Sequence, residues 1–138
     1  DRIYDTLIDE EDLRVCDMTI AEIAASLPAR PHSSREFIAA MGAWLDRKGI
    51  ACEKSIVHAA WRHDVPIFCP AFSDCSAGFG LLHHQWNHTP HLSIDSVADF
   101  RELTLLKTHL EDTGLLMLGG GVPKNFAQDV VVAADIVG

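Results

Sequence analysis

The chain is poor in basic residues, with 11 Lys and Arg against 20 Asp and Glu and a formal net charge of −9. Nucleic-acid backbones are bound by clustered Lys and Arg side chains, and the sequence contains no such cluster. The charge therefore argues against nucleic acid as a partner. An acidic surface favours a cationic ligand such as a polyamine, but the demands of solubility explain the same charge.

Long apolar runs and paired cysteines are also lacking. No apolar run reaches about 18 residues, the length at which a membrane span is considered, and no signal-peptide pattern occurs. The sequence therefore predicts no membrane span and no export. Its four cysteines form no CxxC pair, which favours reduced thiols and a cytoplasmic protein over a disulfide scaffold.

A metal centre has little support either. The histidines cluster at His83, His84, His88 and His91, and the i, i+4 spacing of His84 and His88 would suit two ligands on one helical face. No cysteine or carboxylate stands beside them at ligand spacing, and residues 87–90 are expected to end the helix. We predict a solvated, partly packed loop and no metal.

What the sequence does contain is an alternation of helical patterns with short apolar runs, within a length of 138 residues that fits one domain. This alternation is typical of βαβ crossovers, so we predict a single α/β domain over residues 1–138, with a parallel sheet flanked by helices. Helices are predicted at 10–27, 33–49, 54–63, 96–111 and 123–136. Strands are predicted at 65–70, 92–95 and 114–118. Because the chain opens without a methionine and stops after a helix, we expect the sheet to be incomplete.

A triple glycine marks the first candidate site. In residues 118–124 an apolar run leads into Gly119, Gly120 and Gly121, and Pro123 stands where the first turn of a helix is predicted. Glycines let a ligand approach the backbone, and a helix N-terminus presents free N–H groups to an anion. The spacing differs from GxGxxG, so a phosphate site and a simple tight turn both remain open.

The second candidate site is the loop of residues 70–80, which also follows an apolar run. Asp74 could accept hydrogen bonds from ribose hydroxyls or from ligand amines, or it could cap the helix that is predicted to start near Ser76. Ligands of open α/β sheets bind outside the carboxyl ends of the strands. We therefore expect Asp74 and Gly120 to line one pocket at the ends of neighbouring parallel strands.

Four segments in chain order resemble the central motifs of the deoxyhypusine synthase family. They are SIVHAA at 55–60, VPIFCPA at 65–71, SDCS at 73–76 and LGGGVPK at 118–124. The RIY of residues 2–4, Asp95 and the DFR of residues 99–101 match the same pattern. The resemblance therefore runs along the whole chain.

The resemblance implies a Rossmann-like subunit of a homotetramer that binds NAD and oxidises spermidine. The aminobutyl group then passes through an imine on a catalytic lysine to a lysine of a translation factor. By position, Asp74 corresponds to the aspartate of the family that contacts NAD, and Gly120 to a glycine of its cofactor loop. The catalytic lysine would follow Gly138 and a cofactor segment would precede Asp1, so no catalytic residue is assigned here.

Two positions depart from the eukaryotic pattern and bear on the substrate. Phe79 replaces an acidic residue that holds the polyamine, and Asn125 replaces a histidine after the loop lysine. An apolar ring cannot pair with an ammonium group as a carboxylate does. The sequence KNFAQ at 124–128 resembles the bacterial deoxyhypusine synthase-like branch, which opens the choice of acceptor to a diamine or agmatine.

Two functions of different classes follow from the resemblance. The first is a segment of an NAD-dependent aminoalkyl transferase. The second is a non-catalytic regulatory or structural subunit that pairs with an active paralogue. In either case we expect association, as a homotetramer or with the remaining portions as separate chains. A third interpretation, an unrelated nucleotide-binding module that reuses a glycine loop, accounts poorly for the order of the motifs.

Overall fold

The computed structural model of the protein describes residues 2–3, 5–50 and 54–138. Tyr4 of the RIY motif and Cys52 lie outside the described residues. No helix within these ranges is long and apolar enough to cross a membrane. The elements in chain order are β1 Arg2–Ile3, β2 Thr6–Leu7, α1 Glu10–Ala25, β3 Pro31–His32, α2 Ser34–Arg47, α3 Ile56–Arg62, α4 Ala77–Asn87, β4 Ser93–Ile94, α5 Ser96–Thr108 and α6 Val122–Val137.

The helices begin where local capping chemistry places them, which confirms their prediction from sequence. Asp9 accepts a hydrogen bond from the backbone N–H of Glu11 at the start of α1. Ser33 and Glu36 form a reciprocal capping box at the start of α2. Asp95 caps the start of α5, because its side chain accepts hydrogen bonds from two backbone N–H groups. Each cap satisfies donors that a helix leaves free in its first turn.

The core lies where α1, α2 and α4 meet. Phe37 is fully buried and meets Phe72 edge to face, with ring centroids 5.6 Å apart. Gly80 lets α4 approach α1 closely, because a Cβ there would lie 2.5 Å from the carbonyl oxygen of Asp17. The buried core residues are Ile20, Ile23, Ala24, Phe37, Ile38, Phe72, Leu81 and Leu92.

A small parallel sheet ties the first half of the chain to the second. β3 pairs with β4 in the register Pro31↔Ser93 and His32↔Ile94. The strand predicted at 92–95 is thus confirmed at Ser93–Ile94, whereas β3 lies between the first two predicted helices, where no strand was predicted. Proline suits the first residue of a strand because it has no N–H to donate.

The strands predicted at 65–70 and 114–118 are wrong, because neither segment is a strand in the structure. Apolar composition alone indicated them. A strand also needs a neighbour that takes its backbone hydrogen bonds, and none is paired with these segments within the described residues. The described chain is mainly helical with a two-stranded parallel sheet, which is consistent with an α/β class.

Candidate functional site: a glycine loop and an aspartate loop

The glycine loop leads directly into α6. Gly119 and Gly121 have φ values of 87° and 78°, in the left-handed region that favours glycine. α6 then starts at Val122 with a proline in its first turn and no side-chain cap. Its first-turn N–H groups are therefore left to backbone, solvent or ligand, which is the arrangement that receives an anion at a helix N-terminus.

A cavity of about 230 Å³ opens in front of this loop. Its walls include Leu118, Gly120 and Lys124, so a cationic side chain and glycine backbone face the same space. A Cβ added at Gly120 would still lie 3.9 Å from Cδ of Lys124, so this position is not tightly packed. The loop has room and donors for a phosphate-sized group, and the site resembles the phosphate-binding loops found before helices.

Asp74 ends a single 3-10 turn, Phe72–Asp74, and its side chain is exposed. The first turn of α4 takes its described hydrogen bonds from backbone carbonyls, with Gly78 N–H donating to Cys75 O, and Ser76 makes no side-chain cap. Among the described hydrogen bonds Asp74 therefore does not act as a helix cap. Its carboxylate is free to accept hydroxyl or amine donors of a ligand.

The two loops border separate cavities. Asp74 follows Ser73, which lines a cavity of about 330 Å³ between Pro70 and α4, whereas Gly120 lines the cavity in front of α6. The strands expected before both loops are absent, so the prediction of a common edge of strands is wrong for the described residues. The assignment of Asp74 and Gly120 to cofactor binding stays a prediction.

Phe79 and Asn125 lie in the first turns of two different helices. Phe79 on α4 is 68% exposed and borders an apolar hollow with Met18 and Trp86. Asn125 on α6 is exposed, and its backbone N–H donates to Gly121 O at 3.1 Å. Both side chains are accessible to a ligand, and their role in amine binding stays a prediction.

Sequence reasoning missed a buried anchor behind the aspartate loop. Asp99 on α5 is fully buried, and its two oxygens accept the backbone N–H groups of Ser34, at 2.9 Å, and of Arg35, at 3.1 Å. Ser34 Oγ in turn accepts the N–H of Cys69 at 2.7 Å. The signal in the sequence was the DFR segment at 99–101, which matched the family pattern but gave Asp99 no structural role.

The histidines are more ordered than predicted. His84 is buried on α4 rather than in a loop, and its Nε2 accepts the N–H of Leu92 at 3.2 Å. Burial lowers the pKa of His84, and the nearby His88 and His91 lower it further. Within the described residues no group of three His, Cys, Asp or Glu could hold a metal ion.

The fold and the two loops together define a class of protein: a mainly helical α/β domain with a glycine loop at a helix N-terminus. The sequence profile of the family described as deoxyhypusine synthase matches residues 1–137. The chain belongs to the deoxyhypusine synthase family.

Several curated relatives are similar over the whole chain. A deoxyhypusine synthase-like protein of Chlorobaculum parvum is 62% identical over 139 residues, which cover 100% of this chain and 39% of the relative. One from Coxiella burnetii is 63% identical, with 40% of the relative covered. A probable deoxyhypusine synthase 2 of Methanosarcina acetivorans is 46% identical, with 39% covered. The chain thus spans about two fifths of the length of the curated relatives it matches.

Proposed function

We propose that the protein containing this chain is an NAD-dependent aminoalkyl transferase, which transfers an aminobutyl group from a polyamine. The observation that carries the proposal is the glycine loop before α6, within a chain whose family match runs over residues 1–137. In this proposal the chain supplies part of the cofactor and amine pockets. The lysine that takes up the aminobutyl group lies outside these 138 residues.

The residues of both loops fit a dinucleotide. The N-terminus of α6 and Lys124 offer hydrogen bonds and positive charge to a pyrophosphate. Asp74 offers a carboxylate to ribose hydroxyls, because it is exposed and makes no described hydrogen bond through its side chain. When bound, NAD would supply the acceptor for a hydride that leaves the amine-bearing carbon of the substrate. Gly120 allows the backbone to come close to the cofactor, and the chain's own role is to bind and orient it.

Phe79 and Asn125 are proposed to face the amine. Neither side chain can carry the negative charge that pairs with an ammonium group of the polyamine. We therefore propose that the acceptor is a free amine, such as a diamine or agmatine, and not the lysine of a protein. In the full-length protein, Phe79→Asp with Asn125→His should shift preference toward spermidine by about 1–3 kcal/mol. Competition between spermidine and putrescine measures this shift, and an unchanged ratio would remove both residues from the pocket.

The Rossmann-like sheet and the tetramer belong to the same proposal. The segments at 65–69 and 114–118 are apolar and belong to no helix or strand, and they would gain strand partners from the remainder of the protein. A cytoplasmic location agrees with the free thiols of Cys16, Cys69 and Cys75. Nucleic acid and membrane are not expected as partners, since the charge is −9.

Direct binding tests the proposal. The full-length protein should bind NAD in calorimetry and form NADH when spermidine, putrescine or agmatine is added, whereas the isolated 138-residue chain should stay inactive. Asp74→Asn should weaken NAD binding by about tenfold, or about 1.4 kcal/mol, through the lost charge-assisted hydrogen bonds. Asp135→Asn is the matched control, because Asp135 is exposed on α6 away from its N-terminus.

The glycine loop allows a second matched pair. Gly119→Ala and Gly49→Ala each place a side chain at a positive φ, 87° and 63°, where a Cβ meets nothing within 4 Å. Both should cost about 1 kcal/mol of stability, but only Gly119→Ala should weaken NAD binding. Equal NAD affinity in the two variants would contradict the cofactor loop. NAD binding without turnover in the full-length protein would favour the non-catalytic subunit.

A further inference from the structure

The loop that carries Asp74 is held at its entry by a hydrogen bond to the start of α2. The backbone N–H of Cys69 donates to Ser34 Oγ at 2.7 Å, and Ser34 is fully buried. Cys69 belongs to no helix or strand, so regular structure offers its N–H no acceptor. The Ser34 hydroxyl therefore fixes the point at which the loop leaves the core.

α2 holds the same loop at a second point, one helical turn further on. Phe37 follows Ser34 by three residues, a spacing that places both on one face of a helix. The fully buried ring of Phe37 meets Phe72 edge to face, with centroids 5.6 Å apart. Phe72 begins the 3-10 turn whose last residue is Asp74. One face of α2 thus contacts the loop at Cys69 and again just before Asp74.

The first turn of α2 is itself held by α5. The buried Asp99 carboxylate accepts the backbone N–H groups of Ser34, at 2.9 Å, and of Arg35, at 3.1 Å. One turn further along α5, Glu102 forms a salt bridge of 2.8 Å with the Arg35 side chain. A carboxylate bound to N–H groups at a helix N-terminus forms strong, charge-assisted hydrogen bonds. α5 therefore fixes the helix end from which Ser34 reaches the loop.

Asp74 has little support of its own. It is exposed, and among the described hydrogen bonds it contributes its backbone N–H, which donates to Ala71 O at 3.0 Å, but not its side chain. The position of its carboxylate therefore depends on the loop, and the position of the loop depends on α2.

We propose that Ser34 is a positioning residue of the candidate cofactor site and that Asp99 keeps Ser34 in place. The proposal rests on the proposed function, in which Asp74 accepts the ribose hydroxyls of NAD. Because Ser34 is buried, it acts through Asp74 and does not touch the ligand. Loss of its hydroxyl leaves the Cys69 N–H without an acceptor and lets the loop entry shift. A displacement of about 1 Å is enough to break a hydrogen bond between Asp74 and a bound ligand.

The NAD affinity of the full-length protein, measured by calorimetry, tests this role. Ser34→Ala should weaken NAD binding by about tenfold. Ser33→Ala is the matched control, because Ser33 caps α2 by accepting the N–H of Glu36 at 3.1 Å and no described hydrogen bond joins it to the loop. Both variants should lower the midpoint of urea unfolding, but Ser33→Ala should leave the NAD affinity unchanged. Equal NAD affinities in the two variants would overturn the positioning role.

A double-mutant cycle shows whether Ser34 acts through Asp74. In the Asp74→Ala protein, Ser34→Ala should weaken NAD binding by less than about twofold, because the carboxylate that Ser34 positions is gone. A purely structural role would make the two effects independent, and the full factor of about ten would appear again. That result would overturn the proposal.

Hydrogen exchange measures the loop without NAD. The amides of residues 69–74 should exchange at least about fivefold faster in Ser34→Ala than in the unchanged protein, and Ser33→Ala should leave them as they are. Unchanged exchange in Ser34→Ala, with normal NAD binding, would overturn the positioning role alone. A full-length protein that binds no NAD would overturn the proposed function, and the positioning role with it.

A second variant decides the question if Ser34→Ala does not fold. Asp99→Asn keeps the Ser34 hydroxyl but loses one of the two hydrogen bonds that hold the start of α2. It should weaken NAD binding by at least about threefold. Asp95→Asn, which alters the exposed cap of the same helix, should not. Unchanged NAD affinity in Asp99→Asn would overturn the proposed link from α5 to the loop.

Discussion

The centre of the molecule, where α1, α2 and α4 meet, buries its apolar side chains, whereas the C-terminal part after α5 exposes them. In the centre, Phe37 and Leu92 have no exposed surface. After α5, by contrast, Leu116 is 87% and Leu118 is 92% exposed, and α6 buries a single residue, Val130. Apolar side chains are thus covered by neighbouring helices in the centre, whereas those after α5 are left largely exposed.

The difference shows what each kind of structure requires. The helices of the centre close their own hydrogen bonds and bury one face against each other. An apolar segment such as 114–118 cannot satisfy its backbone hydrogen bonds by itself, because a strand forms them only with a neighbouring strand. We therefore expect the C-terminal part to be completed by further chain or by other copies.

The largest effect is expected on association. The isolated chain should not remain a 15.2 kDa monomer, because Leu116, Leu118 and Ile136 expose a large apolar surface. Light scattering coupled to size-exclusion chromatography measures this. Leu116→Gln with Leu118→Gln should weaken the association. Leu7→Gln, at an exposed position more than 100 residues earlier in the sequence, should not. A monodisperse monomer over a wide concentration range would show that these exposed apolar residues need no partner.

The next effect concerns stability. Phe37→Ala should lower the free energy of unfolding by about 3–5 kcal/mol, because it empties a buried site in contact with Phe72. Leu116→Ala should change it by less than about 0.5 kcal/mol in the isolated chain. Urea unfolding of both variants checks the contrast. In the full-length protein Leu116→Ala should cost more than about 1 kcal/mol, and an equal, small effect in both forms would show that the segment stays uncovered.

A smaller effect separates two aspartates that both bind helix N-termini. Asp99→Asn should cost about 1–3 kcal/mol, because an amide has one acceptor oxygen and leaves one of the two N–H groups, of Ser34 or of Arg35, without an acceptor. Asp95→Asn should stay within about 0.5 kcal/mol, since asparagine is an equally good exposed cap. Thermal unfolding of the two variants measures the difference. Similar losses would mean that the burial of Asp99 is irrelevant.

The smallest effect is a pH dependence in the centre. The pKa of His84 is lowered from 6.5 in the folded state, so below about pH 6.5 the unfolded chain binds the proton more readily. Protonation of His84 therefore lowers the free energy of unfolding. This loss is absent above about pH 6.5 and grows as the pH falls toward the pKa of the folded state. His84→Gln should reduce the slope of stability against pH in that window. His83→Gln, at an exposed position on the same helix, should leave the slope unchanged.

Prediction from sequence succeeded where the cause is local. Ser33 with Glu36 gave the start of α2, and Pro123 after three glycines gave the start of α6 within a residue. It failed for 65–70 and 114–118, because strand formation depends on partners that no local pattern specifies. The family and the order of its motifs were predicted correctly and are confirmed by the match over residues 1–137.

The glycine loop was predictable from the sequence, whereas the long-range contacts near the aspartate loop were not. The glycine loop could be located because positive φ values at Gly119 and Gly121 demand glycine. The contact of Asp99 with Ser34 could not, because it joins two helices distant in sequence through side-chain and backbone atoms. Long-range contacts of this kind leave no periodic trace in either segment.

That contact also dictates an order of events during synthesis. Ser34 and Asp99 are 65 residues apart, so α2 leaves the ribosome long before the carboxylate that binds its N-terminus. Leu92, which closes the core, emerges at nearly the same time as Asp99. Until then we expect the N–H groups of Ser34 and Arg35 to lack their Asp99 acceptor. We therefore expect the centre to complete its folding only after translation has passed α5.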